Sequence, residues 1–206
     1  AHKVRIYKYA NGQGSPELVF EGLDGAIVNT GSGAGPNCVT IACANAVYRF
    51  DVNNMANPTK INVTVKKDPT THASEANFEA DGTFWLTNRQ IMPIHCKADG
   101  SQIEELSADG VNVYSASTAA FNYGKKKYLA TTATNSGWDQ GKVVLVDITN
   151  GAANGVSKFT MPSSGHFGNG NWGNTAGYNK VVHQLSGDNN STLKIWALVP
   201  YQGIGM

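Results

Sequence analysis

The chain alternates apolar and polar residues in short runs that stop at turn-forming residues. In residues 47–61, "VYRFDVNNMANPTKI", the alternation breaks at Asn-Asn and resumes after Asn-Pro. Alternation places successive side chains on opposite faces of a strand, and Asn, Gly and Pro are typical of turns between strands. Runs with the 3.6-residue period of an amphipathic helix are almost absent. The pattern predicts an all-β protein with less than about a tenth of its residues in helices.

The same strand, turn, strand unit recurs along the chain. Its other copies are residues 4–20, 92–106, 143–159 and 193–205. The matching positions are Lys8, Asp51, Lys97, Asp147 and Ala197, at intervals of roughly 43 to 50 residues. A period of this length with about four short strands is the sequence signature of a β-propeller, in which neighbouring four-stranded blades cover each other's apolar faces.

Two further short strands precede each recurring unit after the first. They are "GAIVNTG" and "CVTIACA", "ANFEA" and "TFWLTNR", "VNVYSASTAAF" and "KYLATTA", and "NTAGY" and "KVVHQLS". The turns expected to join these pairs include "GSGAGP" at 31–36 and Asp81-Gly82. We therefore predict a single propeller domain, with a half blade at 1–22 and four-stranded antiparallel blades at 23–67, 73–107, 110–161 and 165–206.

The half blade at 1–22 contains the third and fourth strands of a blade without its first two. We expect the chain to be part of a larger propeller of about seven blades. The missing strands would come from upstream chain or from a second molecule. The alternatives are a five-bladed ring that closes imperfectly and a β-sandwich.

Residues 47–61 also resemble a known propeller repeat. The consensus reads apolar-x-apolar-Asp-Val-x-Asn-Pro-x-x-Pro and belongs to the LVIVD-type repeats of exported, largely uncharacterised bacterial proteins. The matching residues are Tyr48, Phe50, Asp51, Val52, Asn53, Asn57 and Pro58. The match is good for this unit, partial for 143–159 and weak elsewhere. The resemblance implies a propeller fold and export, and it assigns no catalytic residue.

Composition narrows the range of partners and compartments. The chain has 16 basic and 15 acidic residues and a net charge of +1, so charge does not favour nucleic acid or an anionic membrane. No run of 18 apolar residues is present, which predicts no transmembrane segment.

A polar surface built from Asn, Ser, Thr and Gly is common in exported β-rich proteins, so we expect a periplasmic, cell-surface or secreted location. The segment "AHKVRIYKYANGQG" has no apolar signal region, so a signal was removed or more chain lies upstream.

Residues able to carry chemistry are few. Cys38, Cys43 and Cys96 are odd in number and are predicted to be ordinary packed thiols. The five histidines never fall at metal-ligand spacing, so we predict neither a metal site nor a cofactor. His95 lies in a predicted strand and should pack there.

The charged residues of predicted strands and turns have ordinary interpretations. Glu104 and Glu105 are neighbours in a strand and should face opposite sides, which argues against a catalytic carboxylate pair. Lys125–Lys127 is interpreted as a solvated hairpin tip.

Two longer connections, 134–142 and 161–174, carry a tryptophan among Gly, Asn and Ser. Long loops on a rigid scaffold are where binding usually occurs, and in a propeller these two would share one face of the disc. The ligand-binding residues predicted on that face are Trp138, Asp139, Trp172, His166, Asn169, Asn88, Arg89 and His72. Exposed aromatic rings among amide groups suit a glycan or an extended peptide. The alternative is that both tryptophans cap sheet edges between blades.

The sequence therefore favours a non-catalytic binding module, because no nucleophile, base and orienting acid are recognisable together. An exported hydrolase or lyase acting on glycans is the alternative function. Its acid and base would come from separate blades, with Asp139, Arg89 and His72 as the residues it would use.

Overall fold

The computed structural model describes residues 3–10, 13–23, 31–43, 45–63, 75–88, 91–111, 118–133, 142–160, 173–174, 181–186 and 193–198. These residues form strands β1 to β17 and one short 3-10 turn, Ala152–Asn154. The predicted all-β class is confirmed. Within these ranges no helix is long and apolar enough to span a membrane.

The strands form five antiparallel sheets, each built from strands that follow one another in the chain. The first sheet contains β1 (Val4–Ala10) and β2 (Gln13–Gly22), and the second contains β3 (Gly31–Gly35), β4 (Cys38–Cys43), β5 (Ala46–Asp51) and β6 (Asn54–Asn62). The third contains β7 (Glu75–Phe78), β8 (Phe84–Asn88), β9 (Ile91–Cys96) and β10 (Gln102–Glu105). The fourth contains β11 (Thr118–Tyr123), β12 (Lys126–Ala133), β13 (Lys142–Asp147) and β14 (Val156–Thr160), and the fifth contains β15 (Gly173–Asn174), β16 (Val181–Ser186) and β17 (Leu193–Leu198). The predicted recurrence of four-stranded antiparallel sheets is confirmed for the second, third and fourth sheets.

The third sheet is covered on both faces by the neighbouring sheets. Leu86 belongs to a core cluster shared with Val47 and Ile61 of the second sheet. Its neighbour Trp85 points to the other face and joins a second cluster with Leu129 and Val146 of the fourth sheet. Consecutive sheets thus bury each other's faces, which one four-stranded sheet could not do alone.

The first strands of four sheets lie against one another in a closed order. β3 contacts β7, β7 contacts β11, β11 contacts β15, and β15 contacts β3. Asn77 of β7, only 3% exposed, links three of these sheets through its amide. Its Oδ1 accepts a hydrogen bond from the backbone N–H of Ala34 (3.1 Å), and its Nδ2 donates to the carbonyl of Thr118 (2.6 Å).

The prediction that "GSGAGP" is a turn is wrong, because its first five residues are strand β3. The turn to β4 is shorter and contains Asn37 with a φ of 55°. The glycines allow close backbone approach to β7. A Cβ on Gly33 would lie 2.1 Å from the carbonyl oxygen of Ala76, and one on Gly35 would lie 2.5 Å from the Cβ of Phe78. The preceding strand predicted at "GAIVNTG" lies, apart from Gly31, outside the described residues.

We expect Gly33→Ala to lower the free energy of unfolding by about 1 to 3 kcal/mol, since the added methyl group would push β3 away from β7. Urea denaturation monitored by circular dichroism would measure the loss. Lys60→Ala, an exposed change in the same sheet, should stay within about 0.5 kcal/mol of the parent protein. An equally small effect for Gly33→Ala would contradict the close packing of β3 on β7.

Two pairs of consecutive sheets, the second with the third and the third with the fourth, also share a second type of contact. The turn between the third and fourth strands of one sheet packs on the end of the last strand of the sheet before it. In the third sheet this turn places Gly100 so close to Asn62 that a Cβ would lie 2.1 Å from the Asn62 carbonyl oxygen. In the fourth sheet the equivalent turn contains Ala152. Its carbonyl accepts a hydrogen bond from the backbone N–H of Ser107, which follows the last strand of the third sheet (3.0 Å).

Candidate functional site

Nearly all of the predicted ligand-binding residues lie outside the described residues. Segment 64–74 contains His72, segment 89–90 contains Arg89, segment 134–141 contains Trp138 and Asp139, and segment 161–172 contains His166, Asn169 and Trp172. Asn88 is the last residue of β8, where its backbone pairs with Ile91. The predicted grouping of these side chains therefore stays a prediction.

The sheets nevertheless show how the chain reaches these segments. In an antiparallel sheet of consecutive strands, connections alternate between the two ends of the sheet. One end holds the turns between first and second strands and between third and fourth strands, and we call it the turn end. The other end, which we call the connection end, holds the strand ends that flank 64–74, 89–90, 134–141 and 161–172.

The turn ends share one local arrangement, in which an aspartate accepts a hydrogen bond from the backbone N–H two residues later. The four pairs are Asp51 with Asn53, Asp81 with Thr83, Asp99 with Ser101, and Asp147 with Thr149. In the last three the Thr or Ser hydroxyl donates to the same carboxylate oxygen. This side-chain capping is a common way to fix a turn.

In the three turns with a Thr or Ser hydroxyl, the hydrogen bonds keep the carboxylate ionised. The Thr83 hydroxyl lowers the pKa of Asp81, and the Ser101 hydroxyl lowers that of Asp99. At Asp147 the hydroxyl of Thr149, helped by Lys126 Nζ at 3.0 Å, lowers the pKa to about 2. Each of the four turn aspartates thus stabilises its own turn.

A denser polar cluster lies where the third sheet meets the fourth, and we call it the junction cluster: Glu79, Trp85, His95, Glu104 and Lys127. Trp85, His95 and Glu104 are cross-strand partners on β8, β9 and β10, so they form a row across three strands. The His95 ring stacks on the Trp85 indole, with centroids 4.6 Å apart and planes 4° from parallel.

Both carboxylates of the junction cluster bind the fourth sheet. Glu79 accepts a hydrogen bond from Trp85 Nε1 at one oxygen (2.8 Å) and contacts Lys127 Nζ at the other (2.6 Å). Glu104 Oε2 accepts hydrogen bonds from the backbone N–H groups of Ala152 (2.8 Å) and Ala153 (3.2 Å). His95 lies between these carboxylates, with Nε2 3.5 Å from Glu79 Oε1 and Nδ1 3.8 Å from Glu104 Oε1.

Burial lowers the pKa of His95, although Glu79 and Glu104 act in the opposite direction. A histidine between two carboxylates could in principle transfer protons. In this cluster, however, each carboxylate already holds a partner of the fourth sheet, and the imidazole lies flat on a buried indole. The arrangement therefore fits a link between sheets better than an acid and base pair acting on a substrate.

Some residues of the junction cluster were singled out from the sequence, but their association was not predicted. His95 is a packed strand residue, as predicted, with 12% of its side chain exposed. The prediction that Lys125–Lys127 is a solvated tip is wrong for Lys127, whose side chain is 28% exposed and contacts Glu79. Trp85, His95 and Glu104 lie on adjacent strands, so their association could have been predicted only if the pairing register of these strands had been known.

The three cysteines are free and buried, as predicted. Burial raises the pKa of Cys96 to about 12, which leaves an unreactive thiol at neutral pH. Among the residues that the structure covers, no group of three His, Cys, Asp or Glu side chains could hold a metal ion.

Comparison with known proteins finds solved structures with a similar fold but does not assign the chain to a family. No protein family model matches the chain, and no curated protein matches it. A DUF4623 family protein from Bacteroides eggerthii superposes with a TM-score of 0.60 at 12% sequence identity, over 93% of this chain and 52% of that protein. The computationally designed Ika8 protein superposes with a TM-score of 0.50 at 12% identity, over 90% of this chain and 50% of the design. The chain thus spans about half the length of both proteins, and at this identity the likeness concerns the fold alone.

Proposed function

We propose that the chain is a non-catalytic binding module on a β-propeller scaffold, and that its ligand, a glycan or a peptide, binds at the connection end of the sheets. The observation that carries this proposal is the difference between the two ends. The four turn aspartates accept hydrogen bonds from their own turns, whereas the longer segments rich in polar and aromatic residues start and finish at the connection end.

The propeller is supported by how consecutive sheets pack. The second sheet shares a core with the third, the third shares a core with the fourth, and the first strands of the second to fifth sheets contact in a closed order. The two-stranded first sheet lies outside this closed order and packs on the second sheet, where the rings of Phe20 and Phe50 lie 4.8 Å apart. An experimental structure with the first strands around one axis is expected, and two stacked sheets would refute the propeller.

The resemblance of residues 47–61 to LVIVD-type repeats supports the same scaffold and an exported bacterial origin. The strands of that stretch, β5 and β6, are the third and fourth strands of the second sheet. Export to the periplasm, cell surface or medium is part of this proposal, and fractionation of the source cells would test it.

Trp138 and Trp172 provide the direct test. We expect a glycan and peptide array to yield a ligand whose affinity falls by at least about tenfold when both residues are replaced by alanine, because stacking on an aromatic ring would be lost. Circular dichroism of the double variant must match the parent protein, so that lost binding is not lost folding.

A matched control is available on the first sheet. Tyr7 and Tyr9 are exposed aromatic residues, at 48% and 53%, on β1. The Tyr7→Ala, Tyr9→Ala double variant should keep full affinity. Unchanged binding in the tryptophan variant would place the site elsewhere. Turnover of a polysaccharide that is lost on replacing Asp139, Arg89 and His72 together would instead establish the alternative hydrolase or lyase.

A further inference from the structure

His95 is placed where a single proton would affect two contacts between sheets. Its ring lies between Glu79 and Glu104, and each of these carboxylates holds a different part of the fourth sheet. Glu79 binds Lys127 on β12, and Glu104 binds the 3-10 turn between β13 and β14.

The hydrogen bonds define where the neutral ring carries its proton. The Thr83 hydroxyl donates to Asp81 Oδ1 (2.6 Å), so its oxygen remains free to accept. His95 Nε2 lies 2.9 Å from that oxygen and therefore donates to it. The unprotonated Nδ1 then faces Glu104 Oε1 at 3.8 Å.

We propose that the contact between the third and fourth sheets is acid-sensitive, and that protonation of His95 at Nδ1 is the event that weakens it. The added charge would lie against the buried indole of Trp85, where water cannot solvate it well. It would also draw Glu104 toward the ring and compete with Lys127 for Glu79. Both carboxylates would then bind the fourth sheet less firmly.

The charged groups around the ring come from every element that packs on it. Glu79 follows β7, Asp81 lies in the turn before β8, Glu104 lies on β10, and Lys127 lies on β12. Their effects on the pKa of His95 oppose one another, and burial, the largest effect, lowers it. The unfolded chain therefore binds the proton more readily than the folded protein. The stability from neutral His95 is fully present above its ordinary pKa and decreases as the pH falls below that value.

Hydrogen exchange of individual amides in the full chain would test this directly. Between about pH 7.5 and about pH 5.5, after correction for intrinsic exchange rates, protection of the Ala152 and Ala153 amides should fall roughly threefold or more. In His95→Phe, which keeps a stacked ring and removes the proton, their protection should stay constant. The Val63 amide, bound to the Asn45 carbonyl in the second sheet, should not respond in either protein.

Equal loss of protection in both proteins would overturn the proposal, and so would an unchanged Ala152 amide in the parent protein. A second measurement needs no variant. The chemical shifts of the His95 ring and the Ala152 amide should titrate in the parent protein with one common midpoint. Separate midpoints would show that the ring does not control the contact.

Discussion

Asn77→Leu should lower the free energy of unfolding by about 2 to 4 kcal/mol, although the two side chains are similar in size. The leucine removes the acceptor for Ala34 N–H and the donor for the Thr118 carbonyl. A buried backbone group left without a partner costs about 1 to 3 kcal/mol, and Ala34 is only partly buried. Urea denaturation at neutral pH would measure the change.

Asn122→Leu is the matched control for Asn77, because Asn122 is exposed on β11. Its effect should stay within about 0.5 kcal/mol of zero. If Asn77→Leu were as mild, the amide of Asn77 would not be the link between the first strands of three sheets.

Trp85→Ala is expected to cost about 3 to 5 kcal/mol, as is usual when a large core aromatic residue is removed. The indole is 1% exposed and packs in the core cluster shared by the third and fourth sheets. Trp85→Phe should cost less than Trp85→Ala, because a ring remains and only part of the volume and the hydrogen bond to Glu79 are lost. Chemical denaturation of both variants would show the order.

The outcome for Trp85 also separates two sources of stability. A Trp85→Phe variant nearly as unstable as Trp85→Ala would mean that the hydrogen bond to Glu79 outweighs the packing. If Trp85→Ala lost less than about 1 kcal/mol, the cluster between these sheets would not be a true core. Tyr9→Ala, which shortens an exposed aromatic residue, serves as the reference for a change outside the core.

The strands were predictable where their residues favour strands in any context. Runs such as "CVTIAC" and "KVVLVD" are rich in β-branched residues and became β4 and β13. "GSGAG" was not predictable as a strand, since glycine is poor in strands and common in turns. It forms β3 because the neighbouring sheet comes too close for a side chain at Gly33 or Gly35, which is a tertiary requirement.

The junction cluster was less accessible from the sequence than the strands. Each of its residues has an ordinary interpretation alone, and Lys127 belongs to a run that is typical of a solvated turn. Only the register of β8, β9 and β10 places Trp85, His95 and Glu104 in one row. The residues predicted for ligand binding lie in connections between strands, where alternation carries no information about side-chain position.

The packing of each sheet on the next has a consequence for how the chain folds. Hydrogen bonds that join neighbouring sheets connect residues 36 to 49 positions apart, about one repeat. During synthesis, a sheet could therefore dock on its predecessor as soon as its own strands have emerged, without waiting for the distant end of the chain. Folding in this order would leave only the outer faces of the first and the newest sheet exposed to aggregation at any time.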